Sequence, residues 1–99
     1  MGDLLISFEK LMGLQVITSE AEILGEVKGA NIDTKSWQVT GLHVKLSNAA
    51  AEELSMKKRL GSSVATIPVS AIQAVGNLVS LTKSMKDLKN SGEIIEYKE

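Results

Sequence analysis

The sequence predicts a mainly β fold: a small, highly bent antiparallel barrel with one or two short helices. Short apolar runs separated by turn-forming residues recur along the chain, which is typical of strands in a small β domain. In one predicted hairpin, the apolar side chains change face at two glycines, which indicates a bend. The 99 residues are enough for one domain with a modest core.

The central stretch, residues 25–46, predicts a hairpin closed by the polar four-residue loop Asp33–Ser36. Closing the loop there places apolar residues opposite apolar residues, which specifies a register. The predicted cross-strand pairs are Ile32 with Trp37, Ala30 with Val39, Val27 with Leu42, and Gly25 with Val44.

In both strands, the spacing of the apolar residues places some of their side chains on one face of the hairpin and some on the other. Positions 27 and 30 are apolar in the first strand, as are positions 39 and 42 in the second. Three steps along a strand move a side chain to the opposite face. Gly29 and Gly41 lie at this switch, so we expect them to be near-neighbours at a sharp bend that helps to wrap a barrel. A flat hairpin with one leftover apolar patch is the alternative.

The first part of the chain, residues 1–13, predicts a lead-in helix capped by Ser7, with a strand-like arm as the alternative. A short strand follows at Leu14–Thr18, with Val16 facing inward. Residues 19–22 then form a turn. Glu20 and Glu22 in this turn are too few to hold a hard cation, which takes six or more oxygen ligands.

The second part of the chain predicts a short helix capped by Ser47 or Asn48 and three strands, with a tight turn at Gly76-Asn77. Residues 14–82 form the barrel in this interpretation. Residues 83–99 form a helical turn opened by Ser84 and a tail that is either a strand or loose. The basic triplet Lys57-Lys58-Arg59 is either a solvated face or a contact for phosphate.

Composition excludes several classes of function. The net charge of −1 and the pI of about 5.8 argue against direct binding of nucleic acid. The chain has no cysteine, so disulfides and thiolate metal sites are excluded. No apolar run has the length of a membrane helix, and no secretory signal pattern opens the sequence. These features predict a cytoplasmic protein that is not inserted in a membrane.

No set of residues indicates a reaction. His43 is the only histidine; the pattern places it on the exposed side of a strand, without a nucleophile or carboxylate partner. We therefore expect no catalytic residues, no cofactor, no metal and no small-molecule substrate. Trp37, the only tryptophan, is either a core residue or an interface anchor.

Two segments resemble the PRC-barrel domain, which occurs in the photosynthetic reaction centre H subunit and in the ribosome maturation factor RimM. They are Val16–Val27, continuing through Ile32-Asp33 and Val39–Val44, and Ile67–Leu81. The resemblance spans residues 13–82, and the joining stretch Ala49–Leu60 looks like stand-alone archaeal members. It implies a bent barrel of about six antiparallel strands, without catalytic residues, that docks within larger assemblies.

The resemblance implies a non-enzymatic adaptor, and some stand-alone archaeal members act in cell division at the FtsZ ring through its SepF anchor. The alternative is a ribosome- or RNA-processing-associated module like the RimM C-terminal domain. We expect a homodimer that also binds another protein. The predicted interface is the apolar patch formed by Ile32, Trp37 and Val39 if the hairpin bend leaves them outside.

Overall fold

The structure is a computed structural model that describes residues 5–56 and 63–97. Within these residues, seven strands form a single sheet that curls into a half-barrel, accompanied by three short α-helices. The helices are α1 (Phe8–Leu11), α2 (Asn48–Glu53) and α3 (Met85–Ser91). The strands are β1 (Gln15–Ile17), β2 (Ile23–Asp33), β3 (Gln38–Leu46), β4 (Val64–Pro68), β5 (Ile72–Val75), β6 (Val79–Leu81) and β7 (Ile95–Glu96).

The strand order across the sheet is β5-β6-β1-β2-β3-β4-β7. The expectation of a wholly antiparallel sheet is wrong at one pair, because β1 and β6 run parallel, with Val16 opposite Val79. A parallel pair needs a long connection, and here the β2–β3 hairpin, α2 and β4 all lie between the two strands in sequence. In the described part of the chain, β5 and β7 are the outer strands, so the sheet is an open curl there.

The core is built from side chains of the sheet and of all three helices, with Leu11 as the contribution of α1. Leu24, Ile67, Leu81 and Leu88 are its largest fully buried members. Among the described residues, no helix combines the length and apolar character needed to cross a lipid bilayer.

The helix starts agree with the local sequence signals. The hydroxyls of Ser7, Ser47 and Ser84 each accept a hydrogen bond from a backbone N–H three residues later, as N-caps do. Val16 is fully buried, as expected of an inward-facing strand residue.

The C-terminal tail contains a strand. β7 pairs antiparallel with β4, which buries Ile94 and leaves Ile95 63% exposed. The basic triplet Lys57-Lys58-Arg59 lies outside the described residues.

The hairpin register differs from the predicted one. The loop is Thr34–Trp37, and every predicted pair is wrong because the strands are offset by about two residues. The observed pairs are Asp33 with Gln38, Ile32 with Val39, Asn31 with Gly41, Ala30 with Leu42, Gly29 with His43, Val27 with Val44, Glu26 with Lys45, and Gly25 with Leu46.

Two β-bulges explain the three-residue spacing of the apolar side chains. Lys28 is the extra residue in β2, and Thr40 is the extra residue in β3. An extra residue cancels the change of face that three steps would produce, so Ala30 and Val39 lie on the same side as Leu42 and pack against the core. The predicted opposition between the near-turn apolar residues and the rest of the hairpin is therefore wrong.

Gly29 and Gly41 lie at separate places in the ladder. Gly29 is opposite His43, beside the first bulge, and Gly41 is opposite Asn31, beside the second. The two glycines are thus two residues from being cross-strand partners, and each is associated with its own irregularity.

Among the glycines of the hairpin, Gly25 lies closest to the opposite backbone. A Cβ built there would overlap the carbonyl oxygen of Lys45 and lie 3.0 Å from the Cα of Leu46. Gly25 is opposite Leu46, at the end of the hairpin far from the loop. Only glycine lets the two strands meet this closely.

We predict that Gly25→Ala lowers the free energy of unfolding by about 2–3 kcal/mol, because the strands must separate to admit a methyl group. Gly76→Ala is the matched control, since a Cβ there meets nothing within 4 Å. Denaturant unfolding of both variants is the measurement. Equal midpoints for Gly25→Ala and wild type would show that the close approach is not a constraint.

Candidate interaction surface on the hairpin arm

The far end of the β2–β3 hairpin extends beyond the core. Residues 31–40, here called the hairpin arm, contain no fully buried side chain, and only Val39 is half-buried. The arm is a two-stranded ribbon, and such ribbons are marginally stable alone in water.

An apolar stripe continues from the core onto the arm. Val39 packs against the core. Ile32 is its cross-strand partner and therefore lies on the same face of the ribbon. The side chain of Ile32 is 44% exposed. The structure therefore brings two of the three predicted interface residues together as a cross-strand pair.

The third predicted residue, Trp37, lies in the loop at the tip of the arm. Its side chain is 76% exposed, which excludes the core interpretation. The loop is held by two hydrogen bonds: the N–H of Trp37 donates to the carbonyl oxygen of Asp33 at 2.6 Å, and the N–H of Lys35 donates to Oδ1 of Asp33 at 2.9 Å. The tip is thus locally ordered.

Trp37 has a left-handed backbone conformation, with φ of 57°. This conformation costs a residue with a side chain roughly 1–2 kcal/mol, and glycine or asparagine is the usual occupant. A large aromatic residue at this position is unfavourable for folding and also exposes apolar surface to water. Ala21 and Ser55 share this conformation, so it is the combination with a large exposed aromatic side chain that makes Trp37 the strongest candidate for a binding anchor.

Both edges of the arm are free in the described part of the chain. On the β2 edge, backbone hydrogen bonding to the preceding segment ends at Val27. The N–H of Val27 donates to the carbonyl oxygen of Leu14, and the carbonyl oxygen of Val27 accepts from the N–H of Gly13. The pairing of β4 with β3 ends at Gly41, opposite Pro68, which has no N–H to donate. Unpaired strand edges are templates for pairing with another chain.

His43 connects the base of the arm to the C-terminal strand. Its Nε2 lies 2.9 Å from Oδ1 of Asn31, within hydrogen-bond distance, and its ring stacks on Tyr97 with centroids 4.0 Å apart. The side chain is half-buried, so the expectation that it is exposed is wrong; its two contacts are an amide and a tyrosine ring, neither of them the serine, threonine or carboxylate that a catalytic histidine would need.

The position of the His43 ring depends on the residue opposite it. A Cβ on Gly29 would lie 3.0 Å from Nδ1 of His43. No sequence signal indicates this cluster, because Asn31, His43 and Tyr97 are distant in sequence and meet only through the order of strands β2, β3, β4 and β7.

The arm itself carries the titratable residues Asp33 and Lys35 at its tip, and the glutamates of the first turn lie elsewhere in the fold. In the described ranges, no three potential metal ligands (histidine, aspartate or glutamate) lie together. Glu20 and Glu22 flank a turn in which their backbone N–H groups donate to Oγ1 of Thr18, at 3.3 Å and 3.1 Å. The arm can therefore offer apolar contact and strand pairing to a partner.

No protein-family model matches the chain, and no curated protein matches it. Membership of the PRC-barrel family accordingly stays a proposal that rests on four stretches of the sequence, namely Val16–Val27, Ile32-Asp33, Val39–Val44 and Ile67–Leu81.

We predict that Gly29→Ala displaces the His43 ring from Tyr97 and loosens β7. Because an aromatic pair contributes about 0.5–1.5 kcal/mol, exchange of the Tyr97 amide, which donates to the carbonyl of Val64 at 2.8 Å, should become roughly threefold to tenfold faster. Hydrogen exchange followed by NMR measures this.

His43→Ala should reproduce the faster exchange at Tyr97, whereas the Leu54 amide in the α2 cap should be unaffected as an internal control. Unchanged exchange at Tyr97 in both variants would mean that the stack does not hold β7.

Proposed function

We propose that this protein is a non-enzymatic protein–protein interaction adaptor of the PRC-barrel type that self-associates through its hairpin arm. The observation that supports the proposal most directly is Trp37: an exposed tryptophan, held in a strained backbone conformation, at the tip of a projecting ribbon.

A second copy is the best occupant of the arm. The apolar stripe of Ile32 and Val39 continues the core face, so covering it with another copy extends the core of both. Most oligomers of soluble proteins are symmetric, and a two-fold axis buries the same patch on both copies.

The polar rim is suited to such pairing. Asp33 and Lys35, both exposed, carry opposite charges two residues apart at the tip. Around a two-fold axis, the carboxylate of one copy can face the ammonium group of the other, and the free strand edges can supply main-chain hydrogen bonds.

The PRC-barrel resemblance supplies the class of further partner. It implies an anchor protein of the archaeal division ring, with ribosomal proteins as the alternative. Capture from a lysate of the source organism, with wild type and Trp37→Asn as parallel baits, distinguishes the two classes. Division proteins retained by the wild type support the adaptor proposal, and ribosomal proteins alone would replace it with the RimM-like alternative.

We predict that Trp37→Asn converts the dimer to a monomer while leaving the domain at least as stable as wild type. Asparagine tolerates the left-handed conformation, so relief of strain should contribute on the order of 1 kcal/mol to the stability of the monomer. Sedimentation measures association, and denaturant unfolding at low protein concentration measures stability.

Phe8→Gln is the matched control, because Phe8 is another exposed aromatic residue, on α1 and away from the arm in sequence. It should leave the dimer intact. A wild type that sediments as a monomer at high concentration would remove the self-association proposal. A Trp37→Asn variant that is still a dimer would show that the interface lies elsewhere on the protein.

A further inference from the structure

A groove separates the turn before β2 from helix α2, at the opposite end of β2 from the hairpin arm. Its volume is about 520 Å³. One side is formed by Glu22 and Ile23, and the other by Ala49 and Glu53, with Ala50 and Met85 also lining it. No residue of the arm lines the groove, so binding there is independent of self-association through the arm.

The two sides of the groove are held in a fixed relation by Ser47. Its Oγ accepts a hydrogen bond from the N–H of Ala50 at 3.1 Å and donates one to the carbonyl oxygen of Ile23 at 3.4 Å. Its own N–H donates to the carbonyl oxygen of Leu24 at 2.9 Å. One residue thus caps α2 and bonds it to the start of β2, so the groove exists before any ligand arrives.

The lining of the groove is mainly apolar. Ala50 and Met85 are buried members of the core, and Ile23 is 52% exposed. Ala49 and Glu53 are four residues apart in α2, so they lie on the same face of the helix. A slender aliphatic chain could lie along Ile23 and Ala49, which are exposed, above the buried Ala50 and Met85.

Two carboxylates flank this apolar lining, one from each side. Glu22 and Glu53 are exposed, and the described residues provide neither with a salt-bridge partner. Glu53 is also the last residue of α2, where the free carbonyl groups give the helix end a partial negative charge. The groove therefore favours a positively charged group between its two sides.

We infer that this groove binds the side chain of an arginine from a partner polypeptide. The aliphatic stem of the arginine lies along Ile23 and Ala49, and the guanidinium group reaches Glu22 and Glu53. An arginine combines an apolar stem with a planar, weakly hydrated cation that pairs with carboxylates. A metal ion fits less well, because two carboxylates fall short of the six or more oxygen ligands of a hard cation.

The test is an NMR titration with a blocked tripeptide that has a central arginine between two alanines. The protein carries Trp37→Asn, which removes self-association through the arm from the measurement. We expect chemical-shift changes concentrated at Ile23, Ala49, Ala50 and Met85, with binding that weakens as salt is raised.

Three matched comparisons isolate the charge and the site. The same tripeptide with citrulline, an uncharged analogue of arginine, should bind about fivefold to tenfold more weakly, as should the arginine peptide to Glu22→Gln/Glu53→Gln. Glu9→Gln, at an exposed glutamate on α1, should bind like the parent.

Three outcomes would overturn the inference. Equal binding of the arginine and citrulline peptides would show that the two carboxylates do not contribute and that the groove does not select a cation. Shift changes outside the groove would place the peptide elsewhere. Concentration-dependent shifts at the groove without peptide, abolished by Glu22→Gln/Glu53→Gln, would make a second copy the occupant.

Discussion

The β2–β3 ladder is the interaction on which the other elements of the fold rely. β1 pairs with one of its sides and β4 with the other, and Ser47 bonds α2 to the start of β2. At one end of the ladder, Gly25 brings the two backbones too close for any side chain. Farther along, two bulges keep the apolar residues on the core side, so a long hairpin stays in register with a small core.

A small core also limits how many residues of the hairpin can be buried against it. Burial ends near Val27 and Leu42, yet both strands continue into the arm. A sequence selected only for stability would place a short polar turn and a glycine or asparagine where this chain has Trp37. The arm instead keeps an apolar stripe, a strained tryptophan and free edges, all of which are unfavourable for an isolated domain and favourable for association. Self-association would explain all three together.

The features that can be predicted from the sequence are those decided locally. Serine caps, turn residues and alternation locate the helices and most strands, because each depends on neighbours a few residues away. Prediction fails where distant segments meet, as in the parallel contact of β1 with β6 and the stacking of His43 on Tyr97. It also fails at the bulges at Lys28 and Thr40, within the hairpin itself. The apolar spacing in the hairpin is visible in the sequence, but a bulge and a bend produce the same pattern. Ile32, Trp37 and Val39 stand out as candidate interface residues, whereas the strain at Trp37 cannot be seen without backbone angles.

Burial of Trp37 when two copies associate can be observed directly. Trp37 is the only tryptophan of the chain, so intrinsic fluorescence reports on this residue alone. We expect that, as protein concentration rises through the range of dimer formation seen by sedimentation, the emission shifts to shorter wavelength and acrylamide quenches it less. An emission that stays typical of a water-exposed indole while the protein sediments as a dimer would contradict association through the arm.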